Sequence, residues 1–235
     1  MRADGRSAGE LRPLSFEPNV ALHAAGSCIV RLGNTHVWCT ASVDEFLPRW
    51  RRDSGLGWVT AEYRMLPAAT DTRSRREGDR IKGRTAEIQR LIGRSLRAAV
   101  DFRILGEHVI TIDCDVLQAD GGTRTAAVTG GYVAMALACR QLRNKGRLVR
   151  SPLIHEVAAV SVGICDGVAL CDLPYVEDST AEVDMNVVMT GEGQLIEVQG
   201  TAEGTPYTRQ QLSTMLDLAE DGIRQMVLAQ RAVLG

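Results

Sequence analysis

An α+β fold with antiparallel sheets is what this sequence predicts, and three observations carry that reading. Short runs of apolar residues bounded by turn signals occupy both ends of the chain, as strands do. Three longer segments read instead as helices, near 85–99, 126–142 and 209–227. The order is strands, helix, strand, helix, strands, helix, which lacks the regular alternation of a parallel sheet.

The first strands are Cys28 to Leu32 and Val37 to Ala41, with Gly33-Asn34 between them as a hairpin turn. Residues 68–84 are Arg- and Thr-rich without periodicity, so a long loop is expected there. Ile88, Leu91, Ile92, Leu96 and Ala99 then recur at helical spacing, with Thr85 as N-cap and Glu87 where the helix dipole favours an anion. Arg90, Arg94 and Arg97 lie on neighbouring turns of that helix. Ile110, Ile112, Cys114 and Val116 alternate with polar residues, a half-buried strand. Gly121-Gly122 ends it and opens a helix whose alanines and Gly130-Gly131 permit close packing. The chain turns at Asn144-Lys145-Gly146, and Pro152 is the nearest thing to an internal boundary. The length suits either one large domain over 1–235 or two fused halves, approximately 1–145 and 146–235. Beyond the boundary, strands are expected at 157–164, 169–175, 184–189 and 195–198. Thr208-Arg209-Gln210-Gln211 is a capping box for the last helix, whose buried stripe is Leu212, Met215, Leu216, Ala219, Ile223 and Val227.

Composition excludes several classes. At 235 residues the chain is long enough to bury a large core. Aromatics make up only 4%, which argues against base stacking on aromatic platforms. No apolar run approaches the roughly 18 residues of a membrane span, and the N-terminal residues lack the apolar stretch of a signal peptide. A cytoplasmic protein without a membrane partner is expected. The six cysteines, at 28, 39, 114, 139, 165 and 171, contain no Cys-x-x-Cys pair and read as small buried hydrophobes. Net charge is only −2, but it is segregated. Residues 73–97 carry nine basic side chains against three acidic, and residues 166–222 twelve acidic against one basic. One face for a polyanion and another for a metal or a basic partner is the expectation, with two merely solvated faces as the alternative.

Three constellations bear chemistry. Gly122-Thr123-Arg124 places unpaired N–H groups, a positive helix terminus and a guanidinium fork at one point, an anion site without a Walker loop. Arg84 stands just ahead of a second helix start. Glu177, Asp178, Glu182 and Asp184 put four carboxylates within eight residues, where they could converge on Mg²⁺ or Mn²⁺; an acidic surface turn is the alternative. The four histidines form no partnered pattern, so histidine acid/base chemistry has no support. Phosphate, cation and arginines together are the equipment of phosphoryl or nucleotidyl transfer.

The chain resembles the ribonuclease PH family of phosphorolytic 3′-exoribonucleases, relatives of the exosome core and of polynucleotide phosphorylase. The resemblance runs nearly end to end. Its motifs are Arg2-Ala3-Asp4-Gly5-Arg6, Gly57-Trp58-Val59-Thr60-Ala61-Glu62-Tyr63, Gly83-Arg84-Thr85, Glu87-Ile88-Gln89-Arg90-Leu91-Ile92, residues 113–125, Tyr175-Val176-Glu177-Asp178, residues 184–189 and residues 196–203. It implies the family's two-lobed β-α-β fold, related to a ribosomal-protein-type domain, assembled as a homohexameric ring, a trimer of dimers. The implied phosphate site is Arg84 with Gly122, Thr123 and Arg124, and the essential aspartates are Asp178 and Asp184, as catalytic groups, as Mg²⁺ (or Mn²⁺) ligands, or both. Arg73, Arg75, Arg76 and Arg80 would grip RNA. The implied reaction uses inorganic phosphate as co-substrate to trim the 3′ end of precursor tRNA, releasing nucleoside 5′-diphosphates, with nucleotide addition as the reverse and rRNA as a further substrate. A non-catalytic RNA-binding ring subunit is the rival, and a small-molecule kinase a distant third. Two departures touch the RNA loop: Ala68 stands where family members usually carry arginine, and the loop before Arg84 is about two residues shorter than usual by the resemblance.

Overall fold

In this computed structural model every residue except Met1, Ala3, Glu77, Asp79 and Arg80 is described. The expected α+β architecture is present as two sheets with helices packed on them. Strands β1 (Leu14–Pro18), β2 (Gly26–Leu32), β3 (Thr35–Asp44), β4 (Trp58–Met65) and β5 (Val109–Gln118) form one sheet in the order β1-β2-β3-β5-β4. All its pairings are antiparallel except β4 with β5, which makes the sheet mixed. Strands β6 (Val157–Cys165), β7 (Val168–Cys171), β8 (Val183–Thr190) and β9 (Leu195–Ala202) form an antiparallel second sheet, ordered β7-β6-β8-β9.

The hairpin about Gly33-Asn34 is the β2–β3 connection, with Leu32 paired to Thr35. Asp166-Gly167 joins β6 to β7, and its residues adopt φ of 50° and 74°, as a two-residue hairpin turn requires. Helix α1 (Gly83–Arg97) buries Ile88, Leu91, Ile92 and Leu96. Its start differs from expectation: the N-cap is Lys82, and the buried Thr85 lies in the first turn. Gly83 at the first helical position extends the helix toward the loop, and it brings Arg84 into that turn. A short helix α2 (Phe102–Leu105), capped by Asp101, follows.

Helix α3 (Thr123–Asn144) is the centre of the molecule. It is buried along most of its length, packs on β2 and β3, and also touches β6 of the second sheet. Small residues allow this. A Cβ on Gly130 would sit 2.6 Å from Val30 Cγ1. The second sheet is covered by α5 (Arg209–Leu234), which begins with the expected capping box and buries Met215, Ala219, Ile223 and Val227; Leu212 and Leu216 are partly buried.

The strand expected at 169–175 is shorter than that. Strand β7 ends at Cys171 because Asp172 takes φ 54° and Pro174, lacking an N–H, caps the one-turn helix α4 (Tyr175–Asp178). The cysteines are free and all but Cys165 are buried, as expected. No helix is long and apolar enough to cross a membrane among the described residues.

Some of the segregated charges are taken up in internal contacts, while Arg73, Arg75, Arg76, Lys82, Arg84 and Arg90 stay exposed. Arg94 of α1 donates from Nε to Glu197 of β9 at 2.9 Å. Arg97 lies 4.7 Å above the Trp58 ring. Asp172 and Glu177 pair with N-terminal arginines. Arg94, Arg97, Asp172 and Glu177 are therefore structural rather than part of an open charged face.

One carboxylate has a thermodynamic consequence. Asp113 on β5 is pushed up to about 6, first by burial, then by Glu62 and Asp115 on neighbouring positions. A carboxyl raised above its ordinary 3.8 costs stability once it ionises, so the loss begins near pH 4 and is complete above about 6. Asp113→Asn should therefore melt above wild type at pH 7.5 and converge with it near pH 4. Parallel melting curves at both pH values would contradict this.

Candidate active site

The Gly121-Gly122 turn sits between β5 and α3, where backbone constraint is severe. Both glycines have positive φ, 70° and 65°, and a Cβ on Gly121 would stand 2.3 Å from the Leu173 carbonyl oxygen. The turn is thus pressed against the loop that precedes α4. Asp120 fastens it further: one carboxylate oxygen accepts from the Tyr175 N–H at 3.1 Å, the other from Asn34 at 3.2 Å. Thr35 Oγ1 accepts from Asp120 N and donates to the Gly121 carbonyl.

Gly122 is the N-cap of α3 and makes no side-chain cap. The first N–H groups of a long helix are thus left for an anion. Thr123 and Arg124 are the first two helical residues. Thr123 Oγ1 hydrogen-bonds the Tyr63 hydroxyl of β4 at 2.8 Å. Burial raises the Tyr63 hydroxyl pKa, while Thr123, Arg84 and Arg124 oppose the rise. Arg84 and Arg124, forty residues apart in sequence, are thus both within electrostatic reach of Tyr63. Arg124 is also 3.8 Å from Glu87 of α1, an ion pair that ties the two helix starts together.

Across from this corner stand Asp178, ending α4, and Asp184, on β8. Burial raises the Asp178 pKa, against Arg124, Arg84 and Arg12. Burial also raises Asp184, Asp178 adds to the rise, and Arg124 and Arg84 oppose it. Two half-buried carboxylates thus lie within electrostatic reach of the same two guanidinium groups.

The four carboxylates expected to converge do not. Glu177 is held by Arg2, whose Nε and Nη2 donate to it at 3.0 and 2.7 Å. Glu182 accepts from the Gly167 N–H at 3.1 Å, at the opposite end of the turn. Successive residues on a helical turn and a strand start point different ways, which sequence spacing cannot convey. Among the described residues no group of three or more His, Cys, Asp or Glu side chains is arranged to hold a metal. The Asp178–Asp184 pair nevertheless fits Mg²⁺ or Mn²⁺, since such ions commonly take one or two protein carboxylates and complete their shell with water and substrate phosphate. Their mutual repulsion is what a cation would relieve.

Arg73, Arg75 and Arg76 are exposed on the loop between β4 and α1, and Arg80 lies outside the described residues. Sequence reasoning missed Tyr63 and Arg12. Tyr63 ends the 57–63 motif, but nothing local shows that parallel pairing of β4 with β5 brings it to the α3 start.

An anion-ready helix start with two arginines, facing paired carboxylates between two sheets, defines a class: enzymes that transfer phosphoryl or nucleotidyl groups. The chain belongs to the 3′ exoribonuclease family; residues 10–141 match the family's domain 1 and residues 155–222 its domain 2. Among curated relatives, Ribonuclease PH of Corynebacterium efficiens is 58% identical over 236 residues, covering 100% of this chain and 96% of the relative. Ribonuclease PH of Crocosphaera subtropica is 58% identical over 233 residues, covering 99% and 97%. Two solved structures share the fold at low identity. Rice (Oryza sativa) Rrp46 superposes with a TM-score of 0.81 at 17% identity over 100% of both chains. A chain of the Archaeoglobus fulgidus exosome with RNA bound to the active site gives 0.82 at 21%, covering 97% of this chain and 91% of that one.

Proposed function

We propose that this protein is a phosphorolytic tRNA nucleotidyltransferase: a phosphate-dependent 3′→5′ exoribonuclease that trims precursor tRNA. What most supports the reading is that Arg84 and Arg124, the latter at the α3 start, both act electrostatically on Asp178 and on Asp184. The 58% identity to enzymes named Ribonuclease PH supports it along the full chain.

The chemical obstacle is electrostatic, because one anion must attack another. Arg84, Arg124 and the N–H groups beyond Gly122 hold inorganic phosphate, with Thr123 fixed by Tyr63 at its side. A phosphate oxygen then attacks the 3′-terminal phosphodiester. The new P–O bond gives a nucleoside 5′-diphosphate, the P–O3′ bond breaks, and the proton brought by hydrogen phosphate ends on the 3′-oxygen. Asp178 and Asp184 would hold Mg²⁺ or Mn²⁺, which supplies charge neutralisation at the scissile phosphate. Alternatively, with no cation on it, Asp184 would carry the transferred proton, a role that its raised pKa favours. Because the product anhydride retains much of the bond energy, the reaction runs backwards when diphosphates are abundant. Incubation with a nucleoside diphosphate should extend an RNA 3′ end and release phosphate. Absence of extension, with trimming intact, would contradict phosphorolysis.

The non-catalytic subunit is the weaker reading, since it has no use for two half-buried carboxylates that repel one another. Self-association as a homohexameric ring is proposed from the family resemblance, as are action on rRNA precursors and a cytoplasmic location. Lobes 1–145 and 146–235 are proposed as one folding unit, on the support that α3 packs against both sheets.

Arg73, Arg75, Arg76 and Arg80 are proposed to grip the tRNA body. Removing their charges should cost the fold little, since those of the four that are described are exposed. The salt slope of tRNA binding should fall by about 0.7–0.9 for every RNA phosphate that is no longer neutralised. A short oligonucleotide that reaches only the cleft should be nearly unaffected, and Ala68→Arg should strengthen tRNA binding selectively. Equal weakening for both RNAs would overturn the assignment.

A further inference from the structure

We infer that Arg12 is a positioning residue, whose guanidinium clamps the Gly121-Gly122 turn to the Asp172 loop and so sets the start of α3 against Asp178. The inference rests on the phosphate site proposed above and adds to it a residue that touches no reacting atom.

Arg12 lies just before β1, in neither the cleft nor a sheet, and is 5% exposed. Its Nε and Nη2 donate to the two oxygens of Asp172 at 3.0 and 2.7 Å, and its backbone N–H donates to the same carboxylate at 2.7 Å. Asp172 is fully buried and is the left-handed residue that ends β7 and turns the chain toward α4. The other edge of the same guanidinium faces the α3 junction. Nη1 donates to the Asp120 carbonyl, and Nη2 reaches the Gly121 carbonyl at 3.5 Å. A Cβ on Gly122 would lie 3.3 Å from Nη2, so the group sits directly under the N-cap of α3.

One rigid plane thus joins the loop that presents Asp178 to the turn that presents Thr123 and Arg124. Lysine, a single point donor, has no fork with which to bond both sides. Stability alone does not call for such a device, because buried ion pairs are often replaceable by uncharged groups without loss. Arg6 also reaches Asp172, at 3.3 Å, so the carboxylate keeps one partner when Arg12 is changed.

The test uses the full-length protein and inorganic phosphate as the probe. Calorimetric phosphate binding and the phosphate KM and kcat on a short oligonucleotide would be measured for wild type, Arg12→Lys, the charge-neutral pair Arg12→Met/Asp172→Asn, and Arg124→Ala. Asparagine suits the left-handed backbone at 172. Both Arg12 variants should fold with wild-type circular dichroism, bind phosphate about tenfold more weakly and keep oligonucleotide affinity within about twofold. A folded double variant with wild-type phosphate affinity would overturn the clamp and leave Arg12 as a brace. Unfolding of Arg12→Lys, which keeps the charge, would overturn it as well. If Arg124→Ala bound phosphate like wild type, the phosphate site itself would be misplaced. Weakening confined to Arg124→Ala would sink the clamp alone.

Discussion

Asp184→Asn should abolish turnover, by about 10²–10⁴-fold at the least, while the protein folds and assembles normally. The substitution is nearly isosteric and removes only a charge that burial and Asp178 already disfavour. A carboxyl raised above its ordinary value destabilises the fold when ionised, so its amide should melt at or above the wild-type temperature near pH 7. Loss of activity with unchanged or higher Tm separates a chemical role from a structural one. Asp178→Asn should fall comparably and recover in part with added Mn²⁺, if the two carboxylates share a cation. Activity within tenfold of wild type in either variant would contradict the assignment.

Arg124→Ala should raise the phosphate KM roughly ten- to a hundredfold, equivalent to about 1.5–3 kcal/mol for a single charge-assisted hydrogen-bonding group. RNA affinity should change little, because the fork is assigned to the attacking anion rather than to the chain being trimmed. The Arg124–Glu87 ion pair is long, at 3.8 Å, so breaking it should cost little stability. The converse pattern, with RNA binding abolished and phosphate dependence kept, would move Arg124 into the RNA site.

Local chemistry explains what was legible in the sequence. The Gly-Gly junction, the capping box at Thr208 and the alternation along β5 are written in neighbouring residues, and each appears where expected. Arg124 stood out as a candidate because it follows the Gly-Gly helix start, and Arg84 because it stands just ahead of the Thr85 signal. The acidic segment misled because four carboxylates close in sequence diverge in space, two of them drawn off to Arg2 and to the Gly167 N–H. Charge counting misled at Arg94 and Arg97, whose partners Glu197 and Trp58 lie about a hundred and about forty residues away. Tyr63 and Arg12 were silent, because a role made by strand order and by packing between lobes leaves no mark on adjacent residues. Thr85 shows a smaller failure of the same kind: a good cap residue was overridden by a glycine that let the helix begin earlier.

Phosphorolysis is tested most directly by product analysis on 3′-extended tRNA, with and without inorganic phosphate. Trimming should depend on phosphate and release nucleoside 5′-diphosphates whose terminal phosphorus comes from labelled phosphate in the medium. Release of 5′-monophosphates in phosphate-free buffer would mean that water is the nucleophile, and would contradict the assigned chemistry.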